Sequence, residues 1–321
     1  WPVRLSIHSE PRICHLYRTM WVLTTYLDKP SSRERKAKAM STPNTHHYIV
    51  YSSPAGTTAQ AALTLSIAIE DATGREPVRI DLGAVARGEK VLPEITFPAC
   101  LWVGSPVYAK HVVPPVTRFL DQLPTAETGF AVPFVTWGGV SSGTALEEMA
   151  AQCHDKGYQL LGGAKVLAAH SSLWRETTPL GAGHPNNEDE GLLRILAERV
   201  LLKLDHLNAD TWLAPELFSY QPPKEREASR SISMDTVKAH KPALELDTEL
   251  CTQCGICAMS CPAGAISLEP WPTIGAACFC CDMCRRWCPT GALSRADANP
   301  GDRLRLMAAQ RGEKPGTRIL Y

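Results

Sequence analysis

Nine of the chain's twelve cysteines fall between residues 251 and 288, in two runs, "CTQCGICAMSCP" at 251 to 262 and "CFCCDMCRRWCP" at 278 to 289. Such density in a small secreted domain would suggest disulfides, but clustering at two- and three-residue gaps within a long chain is the pattern of metal ligands. The two runs belong to a repeat offset by 27 residues, in which Cys251, Cys254 and Cys257 recur as Cys278, Cys281 and Cys284, and "CPAGAIS" at 261 to 267 recurs as "CPTGALS" at 288 to 294. Register makes Cys280 the thiol without a counterpart. Each run ends in Cys-Pro, where proline lacks an N–H and fixes its own torsion, so the chain is turned away after the last thiol.

Cys-x2-Cys-x2-Cys-x3-Cys-Pro places three thiolates around one iron cluster while the fourth reaches the other. On that spacing one 4Fe-4S cluster is assigned to Cys251, Cys254, Cys257 and Cys288, and a second to Cys278, Cys281, Cys284 and Cys261. Paired zinc ribbons are the alternative, but they require neither the third cysteine nor the Cys-Pro. Residues 245 to 296 resemble bacterial-type ferredoxins with two 4Fe-4S clusters, at all eight ligand positions. Residues 251 to 300 carry three acidic and three basic side chains, so the strongly acidic surface usual in ferredoxins is missing. Arg285 and Arg286 flank a ligand; they are read as a solvated pair, with tuning of the second cluster as the alternative.

The formal charge is zero overall, but residues 45 to 215 hold twelve Lys and Arg against eighteen Asp and Glu. No basic footprint for nucleic acid appears. Residues 1 to 44 hold eight basic against three acidic residues, and the run "ICHLYRTMWVLTTYL" is broken by Arg18 and too short to span a bilayer. They read as an irregular or upstream-read extension, with Met40 as a start.

From residue 45 to 215, short apolar runs alternate with amphipathic stretches. "HYIVYSS", "PVRIDL", "ACLWVGSPVY", "GFAVPFVTWGG" and "KVLAAH" read as strands, with helices between them and a last helix from about Glu190 to Leu207. Leu146, Met149, Ala150 and Cys153 share one helical face, which makes Cys153 a core residue. Alternation of this kind predicts an α/β fold with a doubly wound five-stranded parallel sheet of order 2-1-3-4-5. A linker is expected at 216 to 244, the small α+β two-cluster domain at 245 to 296 and a polar tail at 297 to 321.

"YSSPAGTTAQ", residues 51 to 60, joins the first strand to the first helix, where amides and the helix dipole favour a phosphate. It has no Gly-Lys-Ser/Thr and a single glycine, so neither a Walker loop nor a dinucleotide fingerprint is present. The hydroxyls of Ser52, Ser53, Thr57 and Thr58, with Ala55 and Gly56, resemble the flavodoxin phosphate loop, although Pro54 and Ala55 depart from its usual residues. "GSPVYAK" and "TWGGVSSGTAL" are similar to the flavodoxin loops on either side of the flavin. The resemblance implies FMN, with Ser105, Pro106, Val107 and Tyr108 on one side, and Trp137, Gly138 and Gly139 on the other. Tyr108 and Trp137 are expected to sandwich the ring.

As a whole, residues 46 to 296 resemble the EFR1 family of ferredoxin-containing proteins. That resemblance implies a cytoplasmic electron-transfer protein coupling two 4Fe-4S clusters to an FMN, served by redox partner proteins, with no membrane span. The alternatives are a ferredoxin carrier with a flavin-free docking domain, and a redox-responsive regulator. No catalytic acid, base or nucleophile is assigned. The long connection after the fifth strand carries His170, Trp174 and His184, read as surface histidines and a packing tryptophan.

Overall fold

The apolar runs pair as parallel strands in the computed structural model, which describes residues 45–207, 211–296 and 300–321. The irregular extension expected at 1 to 44 lies outside the described residues. Strand β1 (His46–Tyr51) leads into helix α1 (Thr57–Thr73), followed by β2 (Val78–Asp81), the short α2 (Leu82–Ala86), β3 (Ala99–Pro106) and α3 (Pro114–Asp121). Next come β4 (Gly129–Trp137), α4 (Ala145–Asp155), the two-residue β5 (Gln159–Leu160), β6 (Gly163–Leu167) and α5 (Asn187–Asp205). The sheet order is β2-β1-β3-β4-β6, all parallel, with β5 beside β4. This is the flavodoxin-like doubly wound order. Every residue of β4 is buried, as a strand covered on both faces by crossover helices must be.

Two apolar cores flank the sheet. One holds Ile49, Trp102 and Phe134 with Leu65 of α1 and Leu196 of α5; the other holds Val50, Val103 and Val135 with Phe119 of α3 and Met149 of α4. Cys153 is buried in the second. Helix α1 ends where Gly74 takes a left-handed φ of 72° and donates to the Glu70 carbonyl, the usual stop for a helix. Helix α5 starts on a capping box between Asn186 and Asp189.

The stretch expected as a linker is structured. Helices α6 (Pro223–Arg230) and α7 (Met234–His240) cover the α4 side, and both ring nitrogens of His111 face acceptors: Nδ1 lies 2.5 Å from Glu148, while Nε2 meets the Ser229 and Ile232 carbonyls. The cysteine-rich domain then contributes β7 (Glu245–Leu246), α8 (Ile256–Met259), β8 (Ile266–Ser267), β9 (Thr273–Ile274), α9 (Met283–Arg286) and β10 (Leu293–Ser294). β7 pairs with β10 and β8 with β9, both antiparallel, so each half of the repeat is tied to the other. Left-handed residues recur at the repeat offset, Gln253 with Cys280, Gly255 with Asp282, and Gly264 with Gly291.

The expected polar tail also differs. Helix α10 (Gly301–Arg311) is followed by β11 (Arg318–Leu320), which pairs antiparallel with the edge strand β6. Between them the half-buried Glu313 accepts from Lys165 Nζ, the Ser142 hydroxyl and amide, and Gln221. A three-residue strand anchored by one distant carboxylate leaves no local periodicity to read. Among the described residues, no helix is long and apolar enough to cross a membrane.

Candidate functional site

A cavity of about 320 Å³ opens at the carboxyl ends of β1, β3, β4 and β6, where ligands bind in open α/β sheets. From the first loop, Ala55, Thr57 and Thr58 line it. The Thr58 hydroxyl lies 2.7 Å from that of Thr136. Ser53 accepts from the Ala59 amide at 2.8 Å, capping α1 after Gly56 turns the chain at φ 92°. Ser52 is fully buried and its hydroxyl has no partner. Neither Ser52 nor Ser53 nor Gly56 lines the cavity itself.

From β3, Pro106, Val107 and Tyr108 line the cavity, whereas the Ser105 hydroxyl is spent on backbone, donating to Pro106 O and accepting from Val113 N. Lys110 follows in a left-handed conformation, φ 73°. Its carbonyl lies 2.0 Å from where a Cβ at Gly143 would stand, so only glycine lets the two loops cross there. From β4, Trp137 and Gly138 line the cavity; Gly139 does not. Trp137 is almost wholly buried, with Lys165 Nζ 4.7 Å from its ring and its Nε1 donating to Gly316 O at 3.4 Å. Tyr108 packs against Phe279, centroids 5.9 Å apart and tilted 57°. The two rings border one cavity, but each already rests on another group.

Sequence reading missed the other walls. Ile232, Met234 and Val237 come from the linker, and Leu304, Met307 and Arg311 from the tail. The signal was absent because neither segment carries a motif. His170 also lines the cavity, beneath Gly138, where a Cβ would lie 2.6 Å from its ring. Burial pulls its pKa down to about 4, so it is neutral at pH 7, and it is not the surface histidine expected. His184 instead bonds Asp189 at 2.6 Å, and Trp174 stacks with Arg175. The lining contains Lys110, Lys241 and Arg311 and no carboxylate; Glu225 lies behind, 3.5 Å from Lys110 and 2.6 Å from Arg311. Hydroxyls, aromatic rings and lining cations that outnumber the one carboxylate behind them suit an anionic aromatic ligand, and FMN fits that description.

The eight repeat cysteines divide between two further recesses. Cys261, Cys278, Cys281 and Cys284 surround a space of about 390 Å³, and Cys251, Cys254, Cys257 and Cys288 surround a smaller one of about 20 Å³. In each set, three thiols come from one run and the fourth from the other. All described cysteines are free thiols.

Backbone amides point at the sulfurs. Ala265 N lies 3.3 Å from Cys261 Sγ and Cys280 N lies 3.4 Å from Cys278 Sγ. Burial pushes the Cys284 thiol up to about 12, against an amide contact from Arg285. At Cys288, burial is outweighed by the Leu293, Thr290 and Ala292 amides and the Thr290 hydroxyl, and its pKa falls. Buried thiols with amide donors are held as thiolates once a cationic cluster is present; the donor chemistry of both sets fits 4Fe-4S. Cys280 lines the strand-end cavity as well as the recess of the second set, as do Phe279 and Lys241. Arg285 is buried and 3.7 Å from Asp282, not solvated as expected, because α9 turns it inward; Arg286 lies over Trp287.

Residues 244–267 match the 4Fe-4S binding domain family. No curated protein matches the chain. Among solved structures, rubredoxin oxygen:oxidoreductase from the anaerobe Desulfovibrio gigas is 19% identical, with TM-score 0.40, over 51% of this chain and 37% of that one. A flavodoxin from the domain Archaea is 17% identical, TM-score 0.36, over 50% of this chain and 100% of its own. An NADH:FMN oxidoreductase in its apo form is 17% identical, TM-score 0.37, over 56% and 98%. The chain therefore spans little more than a third of the Desulfovibrio protein, and likeness this partial adds nothing to the strand order described above.

Proposed function

We propose that this protein transfers electrons between two 4Fe-4S clusters, held by the two thiol sets, and an FMN in the cavity at the strand ends. The observation that carries the reading is the shared wall: Phe279, Cys280 and Lys241 border both the cavity and the second thiol set. A bound flavin exchanges two electrons with one donor and releases them singly, which suits clusters that pass one at a time.

In this reading the first loop, through Thr57 and Thr58, which line the cavity, and the amides at the start of α1, holds the phosphate. Tyr108 and Trp137 border the ring, and Lys110 and Arg311 balance the ligand's negative charge. Helices α7 and α10 supply Met234, Val237, Leu304 and Met307 as apolar walls of the cavity. The likeness of residues 46 to 296 to the EFR1 family belongs to the same proposal.

Anaerobically purified protein is expected to contain roughly eight iron and eight sulfide per chain, the complement of two cubes, and to release about one FMN per chain on acid treatment. Zinc in place of iron would end the reading. Full iron without flavin would leave a two-cluster carrier with a docking domain.

A further inference from the structure

The two halves of the repeat share a backbone but not a charge environment. Lys238, Lys241, Arg295 and Asp282 line the recess of the second set; the lining of the first set contains no charged residue. Asp282 is the hub: Lys241 Nζ lies 2.6 Å from Oδ2, Arg295 Nη2 3.1 Å from Oδ1 and Arg285 Nη1 3.7 Å from Oδ2. Its side chain is 12% exposed, and those of Arg285 and Arg295 are each 5% exposed. Lys238 donates to the Ala276 carbonyl, with the exposed Asp235 at 3.9 Å. At the repeat offset, Arg295, Arg285 and Asp282 correspond to Leu268, Ala258 and Gly255, so one half acquired a buried basic cage where the other has apolar or no side chains.

Resting on the two-cluster reading above, we infer that this cage makes the cluster of the second thiol set the more easily reduced one, so that an electron entering at the first set settles beside the flavin cavity. Reduction adds a negative charge to an already anionic cluster-thiolate unit. Fixed cations lower the cost of that charge, and net charge is one of the levers that set cluster potential. Burial acts in the opposite sense, since excluding water penalises the more highly charged state. The same exclusion strengthens the field of neighbouring cations. Three lining cations and Arg285, set against one lining carboxylate, decide the balance. Exposure gives the entry point: each set has one buried thiol, Cys257 and Cys261, but of the eight only Cys254, in the first set, is exposed.

The test is an anaerobic redox titration of the intact, reconstituted chain followed by paramagnetic resonance, with iron and sulfide counted for each variant. Two midpoints are expected. Arg295→Leu should move only the higher one downward, by about tenfold in the reduction equilibrium, or 59 mV for one electron. Asp282→Asn should move the same midpoint upward, because it releases the cations from their carboxylate while asparagine still accepts the left-handed φ of 61° at this position. Arg295→Lys should restore most of the wild-type value. A residue that merely holds the fold would shift both variants in one direction. Full iron with coincident midpoints, or with the lower midpoint responding to Arg295→Leu, overturns the inference and leaves the two-cluster reading standing. Loss of iron and of both signals from the wild-type chain overturns both.

Discussion

The parallel sheet and the cysteine repeat hold their shapes by different means. The sheet buries Trp102, Phe134, Trp137 and Tyr158 almost completely and has an apolar core on each face. The repeat has strands of two residues and helices of four, and Cys261, Ala263, Ala265 and Phe279 join one of the sheet's own cores. Burial of one Leu, Val or Phe side chain contributes roughly 1.5–3 kcal/mol, so the sheet is stable through many such residues, while the repeat relies on its ligands and its neighbour. A domain can therefore be small and ordered when its thiols are bridged, but it loses that order with the bridge.

The widest break in this contrast should come from the metal. Cys281→Ala, or chelation of iron, is expected to expose residues 245 to 296 to limited proteolysis while the sheet keeps its protection and its circular dichroism. Simultaneous collapse of both regions would show that the sheet also depends on the clusters. In the other direction, Trp102→Ala removes the largest side chain of the α1–α5 core and should lower unfolding free energy by about 3–5 kcal/mol, read in urea, with iron content per folded chain unchanged.

A smaller effect sharpens the boundary between the regions. The turn after the first Cys-Pro docks on α2, where Arg87 Nη1 reaches the Cys261 carbonyl at 3.3 Å and a Cβ at Gly264 would stand 2.1 Å from the Ala86 carbonyl. Gly264→Ala also forces a side chain into φ 58°, a conformation that costs about 1–2 kcal/mol. Hydrogen exchange should accelerate in α2 and in the first half of the repeat and remain unchanged in α5. Gly291→Ala, its repeat counterpart with open space around it, should incur only the backbone cost.

The smallest effect concerns pH. The Glu148 hydrogen bond leads the forces that raise the His111 pKa, and although burial pushes Glu148 up, its bonds to His111 and Thr144 bring it below the ordinary value. The contribution of His111 is complete below its unfolded pKa of about 6.5 and fades as pH rises through the raised folded value. That of Glu148 is present above the ordinary carboxylate range and fades as pH falls through its lowered value. Melting temperature should therefore decline modestly on the alkaline side of about pH 6.5, and His111→Gln should flatten that limb. An unaltered limb in the variant would remove His111 from the account.

Much of this was legible in the chain itself, because its causes are local. Strand order followed from alternation, since parallel neighbours require crossovers, and the apolar faces placed Cys153 in the core. Repeat register set Cys280 apart from the thiols at ligand spacing; in the structure those eight line two recesses, and Cys280 lines the larger one as well. Less legible were Ser105, whose hydroxyl turns to the backbone, and Trp137, whose ring is held by Lys165 and the Gly316 carbonyl. The linker and tail residues that wall the cavity were illegible, for each meets its neighbours across a long stretch of sequence and carries no period of its own.

By itself the sequence determined spacing: which thiols lie within a turn of each other, which residues alternate into a sheet, where a loop of hydroxyls meets a helix. Only the tertiary structure decided that Lys241 and Phe279 would stand between the strand-end cavity and the recess of the second thiol set, and that Asp282 would gather Arg285, Arg295 and Lys241. Spacing is written in covalent geometry over a few residues, whereas convergence depends on how separate surfaces pack, and packing is a property of the whole chain.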